Sequence, residues 1–137
     1  MPTTSWHEKY ATRTRPVVKL AEHPYADVKA GTKILISTPR EIADTLRLIP
    51  PGSEISFADL RATLARKHFA QTACPITTGI YLHIVAEVAL DEIADGTPIA
   101  DVAPFWRVIR PQSKLAQKLS CGPAGVVALR MYEGLPI

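Results

Sequence analysis

Two cysteines, Cys74 and Cys121, are the residues of this 137-residue chain best suited to act as nucleophiles. Cys74 directly precedes Pro75, a residue type that favours the first turn of a helix. Because the positive end of a helix dipole stabilises a thiolate, this position favours a lowered thiol pKa. No histidine lies beside Cys74 in the sequence, so two interpretations stay open: a reactive thiol, or a small apolar group in the core.

Metal-binding chemistry is not indicated, since the four histidines are scattered without ligand spacing and no CxxC motif is present. The histidines are His7, His23, His68 and His83. Two cysteines are also too few for a disulfide framework. The sequence therefore predicts neither a metal nor another cofactor.

Positive charge is concentrated after Val102, where the sequence contains five basic residues and a single acid, Glu133. The preceding stretch from Glu87 to Asp101 carries five acids and no lysine or arginine. The basic residues are Arg107, Arg110, Lys114, Lys118 and Arg130. This segregation predicts one face that attracts phosphates, and an unevenly charged, solvated surface is the alternative.

Three helix-start signals divide the middle of the chain. Thr38-Pro39 predicts a capped helix whose buried stripe is Ile42, Leu46 and Ile49. Ser56, with Asp59 in the first turn, predicts a second helix to about His68, with Phe57, Leu60 and Leu64 buried. Pro75 begins a third helix that ends near Asp95-Gly96, with a stripe at Ile76, Ile80, Ile84 and Val88.

The second and third helices with their connector are typical of a helix-turn-helix-like unit, in which the helix from Pro75 enters a DNA groove. Its first turns then present Thr77, Thr78 and Tyr81 to nucleic acid. First-turn threonines that bond their own backbone are the alternative interpretation.

The two ends of the chain are less regular. Residues 1–32 are interpreted as an extended arm with at most one short element, basic at Arg13, Arg15 and Lys19, and regular structure is expected to begin at Lys33. Residues 104–110 suit a short strand or a buried turn, and a last helix is predicted from about Pro123 to Glu133.

Motifs spread over residues 34–134 resemble the DNA-binding domain of O6-alkylguanine-DNA alkyltransferases. The family's Ile-Pro-x-Gly is matched by Ile49-Pro50-Pro51-Gly52, and its Thr/Ser-Tyr by Ser56-Phe57. Its Pro-Cys-His-Arg-Val core is matched by Pro104-Phe105-Trp106-Arg107-Val108, and Glu133-Gly134 follows at a similar distance. The resemblance implies a mainly α, winged-helix or helix-turn-helix-like domain at residues 33–137 with a small β element.

The departures from the family bear on activity. Phe105 replaces the alkyl-accepting cysteine, Trp106 replaces the histidine that activates it, and Ile76 replaces the arginine that fills the gap of a flipped nucleotide. An aromatic ring cannot accept an alkyl group. The resemblance therefore implies an alkyltransferase-like protein that binds duplex DNA, intact or damaged, without transferring an alkyl group to itself. A separate repair protein is its expected partner.

The expected site has two parts. Phosphates or bases contact Thr77, Thr78, Tyr81, Arg107, Arg110, Lys114 and Lys118. Phe57, Phe105, Trp106 and Glu133 line the former alkylguanine pocket. The alternatives are a protein-interaction or small-molecule module on the same fold, and a thiol-dependent enzyme that uses Cys74.

Composition sets the remaining limits. With 47% hydrophobic and 21% charged residues, the chain is expected to form a globular core rather than a disordered segment. It has neither a run of about 20 apolar residues nor the layout of a secretory signal, so a cytoplasmic location away from membranes is expected.

Overall fold

A computed structural model describes residues 5–137, which form six α-helices, three β-strands and two 3-10 turns. In chain order these are α1 (Trp6–Thr12), β1 (Val17–Leu20), β2 (Lys33–Ile36), α2 (Pro39–Arg47), α3 (Phe57–Lys67), β3 (Thr72–Ala73), α4 (Pro75–Ala94), α5 (Lys114–Lys118) and α6 (Gly122–Glu133). The 3-10 turns span Ile99–Asp101 and Phe105–Arg107. The predicted mainly α fold with a small β element is confirmed, and α5 is an addition to it.

The helices α2 and α3 begin at the predicted capping residues. Thr38 Oγ1 accepts a hydrogen bond from the Glu41 amide at 3.1 Å, and Ser56 Oγ accepts one from the Asp59 amide at 3.0 Å. Each bond satisfies a first-turn amide that has no partner within the helix. The apolar residues buried along or just after these helices are Ile42, Leu46, Ile49, Leu60 and Leu64.

Helix α4 has the predicted length, but its predicted buried stripe is wrong at the N-terminal end. Ile76 and Ile80 are 55% and 52% exposed, whereas Ile84 and Val88 are buried. A step of four residues advances about 40° around a helix of 3.6 residues per turn, so a stripe of four such positions drifts off one face. The buried arc instead contains Thr78, Leu82, Val85, Ala86 and Ala89, which follows the spacing of a core-facing helix.

The N-terminal segment is not an extended arm, so the expectation that regular structure begins at Lys33 is wrong. Residues 1–4 lie outside the described part of the chain, but α1 follows directly and packs against α4 and α2. Strand β1 pairs antiparallel with β2, with Val17 opposite Ile36, and β3 pairs parallel with β2 on its other side. Neither α1 nor β1 contains a fully buried residue, which is why no hydrophobic period announces them in the sequence.

Residues 104–109, which follow the acidic stretch that ends at Asp101, lie in the centre of the core. Phe105 and Trp106 are 0% and 1% exposed, and their rings meet edge to face with centroids 5.2 Å apart. The carbonyl oxygen of Phe105 accepts hydrogen bonds from the amides of Val108 and Ile109. Of the two predicted structures for residues 104–110, the buried turn is therefore confirmed and the strand is not.

The last helix, α6, matches its predicted bounds to within one residue and ends at Gly134, whose φ of +75° is a conformation that favours glycine. No helix within residues 5–137 combines the length and the apolar character needed to cross a membrane.

We predict that Phe105→Ala lowers the free energy of unfolding by about 3–5 kcal/mol, because it removes a fully buried ring and leaves a cavity. Urea unfolding followed by circular dichroism measures this effect. Phe69→Ala is the matched control, since Phe69 is 86% exposed and its truncation is expected to change stability by no more than about 0.5 kcal/mol. Equal effects of the two substitutions would contradict the placement of Phe105 in the core.

Candidate functional site

Three segments that carry the alkyltransferase resemblance meet around one ion pair. Arg107 Nε donates to both carboxylate oxygens of Glu133 at 3.0 Å, and Arg107 Nη1 donates to the Ile49 carbonyl oxygen at 2.6 Å. The Gly52 amide donates to the same carboxylate at 3.3 Å. The matched motifs are therefore neighbours in space, although 58 residues separate Ile49 from Arg107.

This ion pair is shielded from water, because the Arg107 and Glu133 side chains are only 10% and 8% exposed. Burial raises the pKa of the Glu133 carboxyl, but hydrogen bonds from Arg107 and from the Gly52 amide outweigh burial and hold that pKa below its ordinary value. The prediction that Arg107 contacts phosphates is wrong, since its guanidinium group is buried and occupied. Glu133 likewise lies beside Arg107 and not in an open pocket.

A second buried arginine joins α6 to the same turn. Arg130 is 1% exposed, and it donates to the carbonyl oxygens of Trp106 and Pro136, each at 2.8 Å, and to the Glu54 carboxylate. Glu54 also accepts a hydrogen bond from Arg110 at 2.6 Å. The hydrogen bond from Arg130 lowers the pKa of Glu54. Arg110 remains largely exposed, so it alone of these three arginines keeps a surface on which a phosphate can bind.

The predicted pocket of Phe57, Phe105, Trp106 and Glu133 is not formed as expected, because Phe105 and Trp106 fill the core. An apolar pocket of about 220 Å³ lies beside the half-buried Phe57. It is lined by Phe57, Gly79, Leu82, Val108, Ile109, Ser113 and Leu115. Of the predicted lining residues only Phe57 is retained, and no motif in the sequence marks Val108, Ile109 or Leu115 as its partners.

The first turns of α4 present different side chains from those predicted. Thr78 is fully buried and therefore cannot reach a nucleic acid, which corrects that prediction. Thr77 and Tyr81 are half-buried, and the Tyr81 hydroxyl accepts a hydrogen bond from Arg13 Nε at 2.9 Å. Ile76 and Ile80 occupy the outward face instead.

Two lysines act on His83, which follows Ile80 by three residues on α4. His83 is half-buried on α4, and its ring lies 4.9 Å from the Trp6 ring of α1, measured between centroids. Burial lowers the pKa of His83, Glu87 opposes this shift, and the charges of Lys118 and Lys9 add to it. Lys114 and Lys118 are exposed on α5 as expected, and Lys9 and Lys118 are close enough to His83 to repel its protonated form.

Cys74 occupies the helix N-terminus that the sequence predicted. It is 4% exposed, precedes the 20-residue α4, and accepts a hydrogen bond from the Tyr25 hydroxyl at 3.1 Å. Burial raises the pKa of the Cys74 thiol, but its polar surroundings at the start of α4, together with the hydrogen bond from Tyr25, outweigh burial and lower the pKa. Burial and the contact with Cys74 in turn raise the pKa of Tyr25 to about 12. Among residues 5–137 no group of three or more His, Cys, Asp or Glu side chains is placed to hold a metal ion.

Comparison with protein-family models, curated proteins and solved structures finds no match to this chain. The alkyltransferase resemblance therefore rests on the order of the motifs.

We predict that Glu133→Ala destabilises the protein by about 3–5 kcal/mol at neutral pH, because it leaves the buried charge of Arg107 without a partner. Since the folded-state pKa of Glu133 is depressed, its contribution is present above the unfolded pKa of about 4.3 and is lost as pH falls through the folded value. Urea unfolding of wild type and variant at a series of pH values measures the difference. A difference that grows towards acid pH would contradict this assignment.

For the thiols, we predict that the pH midpoint of labelling by iodoacetamide is lower for Cys74 than for Cys121. Burial and the charge of Glu87 raise the pKa of Cys121, whereas the Cys74 pKa is lowered. The variants Cys121→Ser and Cys74→Ser each leave one thiol, and mass spectrometry follows its labelling rate. Coincident midpoints would remove the support for an activated thiol at Cys74.

Proposed function

We propose that this chain is a non-enzymatic, alkyltransferase-like protein that binds duplex DNA through a helix-turn-helix-like unit. In this unit α3 precedes α4, α2 packs against α4, and the outward face of the N-terminal half of α4 enters a groove. The antiparallel pair β1–β2 is the candidate wing, because residues 104–110 form a buried turn.

The observation that carries this proposal is the unpacked outward face of α4. Ile76 and Ile80 lie one turn apart, and each exposes more than half of its surface. Intramolecular packing does not account for two exposed isoleucines on a helix whose opposite face is well buried. Apolar side chains of this kind contact thymine methyl groups or wedge between base steps in DNA-bound proteins.

The charges around this face support nucleic acid over an apolar partner. Lys9 of α1 and Lys118 of α5 both act on the pKa of His83 on α4. Lys114 adds exposed positive charge on α5, and Arg110 before it is exposed but paired with Glu54. A helix that enters a groove lies between two phosphate backbones, so cations are favourable on both of its sides.

The absence of alkyl transfer is proposed on chemical grounds. The place of the family's acceptor sulfur is taken by Phe105, a buried ring without a nucleophilic atom. The carboxylate that resembles the family's histidine-orienting acid instead binds Arg107. Binding without transfer then leaves repair to a separate protein.

Two other functions have one supporting observation each. The apolar pocket beside Phe57, at about 220 Å³, supports a module that holds a small apolar ligand or side chain. The hydrogen bond from Tyr25 to Cys74, at the start of α4, supports a thiol-dependent activity, which the labelling of the two thiols tests. Neither accounts for the exposed isoleucines of α4.

We predict that the wild-type protein binds duplex DNA in anisotropy titrations at low salt, and that Ile80→Glu weakens this binding about tenfold, or about 1.4 kcal/mol. The new carboxylate would face the phosphates in place of an apolar side chain. Met131→Glu on α6 is the matched control, because Met131 is 61% exposed and the substitution adds the same charge elsewhere.

The same titrations use duplexes with and without an O6-alkylguanine, and a labelled methyl group on that base reports transfer. Retention of the label by the DNA is the expected result. An absence of duplex binding, or equally weakened binding by Ile80→Glu and Met131→Glu, would overturn the proposed role of α4.

A further inference from the structure

A cleft of about 520 Å³ separates α1 and the following loop from α4. Three cations line it, Lys9, Arg13 and Arg15, together with the threonines Thr12 and Thr14 and the aromatic ring of Tyr81. Within the described residues, no carboxylate lines this cleft. The three cations precede residue 34 and therefore lie outside the alkyltransferase resemblance.

Within the described part of the chain, the three cations of the cleft, unlike the buried arginines, are not neutralised by a neighbouring carboxylate. Arg61, Arg107 and Arg130 each make an ion pair with a carboxylate, and so do the more exposed Arg47 and Arg110. Within residues 5–137, Lys9, Arg13 and Arg15 have no carboxylate within ion-pair distance. Their concentrated positive charge is available to an external anion.

Two of these cations are also held in place. Arg13 Nε donates to Tyr81 Oη at 2.9 Å, which leaves both terminal nitrogens of the guanidinium group for a ligand. The Lys9 ammonium lies 4.4 Å from the centroid of the Trp6 ring, at the distance of a cation–π contact. A side chain fixed before binding loses less conformational entropy when the ligand arrives.

We infer that this cleft binds phosphodiester groups of a nucleic-acid backbone. The inference rests on the proposed function, because Tyr81 belongs to α4 and joins the cleft to the outward face of that helix. A duplex whose groove receives Ile76 and Ile80 would carry one of its backbones past Arg13 and Arg15. The planar guanidinium forks match the paired oxygens of a phosphodiester, and the two threonine hydroxyls add donors.

The test measures how DNA affinity depends on salt. The slope of log K against log salt concentration decreases by about 0.9 for each phosphate that the protein no longer neutralises, so Arg13→Gln/Arg15→Gln is expected to reduce it by about 1 to 2. Anisotropy titrations between about 50 and 200 mM salt determine the slope. The matched control, Lys29→Gln/Arg66→Gln, removes two exposed charges outside the cleft and is expected to leave the slope unchanged.

The outcomes separate this inference from the proposed function. If the wild type binds duplex DNA and Arg13→Gln/Arg15→Gln has the wild-type slope, the cleft assignment is overturned and duplex binding by α4 stands. If only single-stranded DNA binds, and its slope depends on Arg13 and Arg15, the cleft assignment stands and the role of α4 is overturned. Binding to neither form of DNA overturns both.

Discussion

The ion pair between Arg107 and Glu133 is the interaction on which the rest of this structure depends. It joins the end of α2, the buried turn that contains Phe105 and Trp106, and the last residue of α6. Because both side chains are almost completely enclosed, either charge without the other would be strongly destabilising. Arg130 adds a parallel connection through the Trp106 carbonyl oxygen. The motifs that resemble a catalytic centre therefore serve here as a structural junction.

Capping residues and apolar spacing in the sequence predicted most of the helices, because the interactions that start and end a helix involve residues close together in the chain. Thr38 and Ser56 were identified as caps from residue type alone, and Gly134 ends α6 in a conformation that glycine adopts easily. Strand β1 could not be found in this way, whereas α1 begins at a local cap that was not predicted, Ser5, whose Oγ accepts a hydrogen bond from the Glu8 amide at 3.1 Å. Both elements are stabilised by contacts with distant elements, namely α4 and β2, and their own residues show no apolar period.

The candidate site was harder to predict than the fold, since it depends on which face of each element is covered. A spacing of four residues did not distinguish the exposed Ile76 and Ile80 from the buried Ile84 and Val88. Arg107 and Arg110 are similar in sequence context, yet one is buried against Glu133 and the other is mostly exposed. The bond between Arg13 and Tyr81 joins residues 68 positions apart, and no sequence pattern in a single chain announces such a pair.

The complete enclosure of Phe105 limits what a substitution at that position could do. A sulfur atom at that position would be buried beneath the turn that Arg107 and Arg130 fix by hydrogen bonds to main-chain carbonyl oxygens. An alkylated base could not reach it. A change of one codon to cysteine would therefore not create an alkyl acceptor. The backbone around residues 104–109 would first have to be rebuilt so that it opens to the surface, which makes the difference one of architecture as well as of one residue.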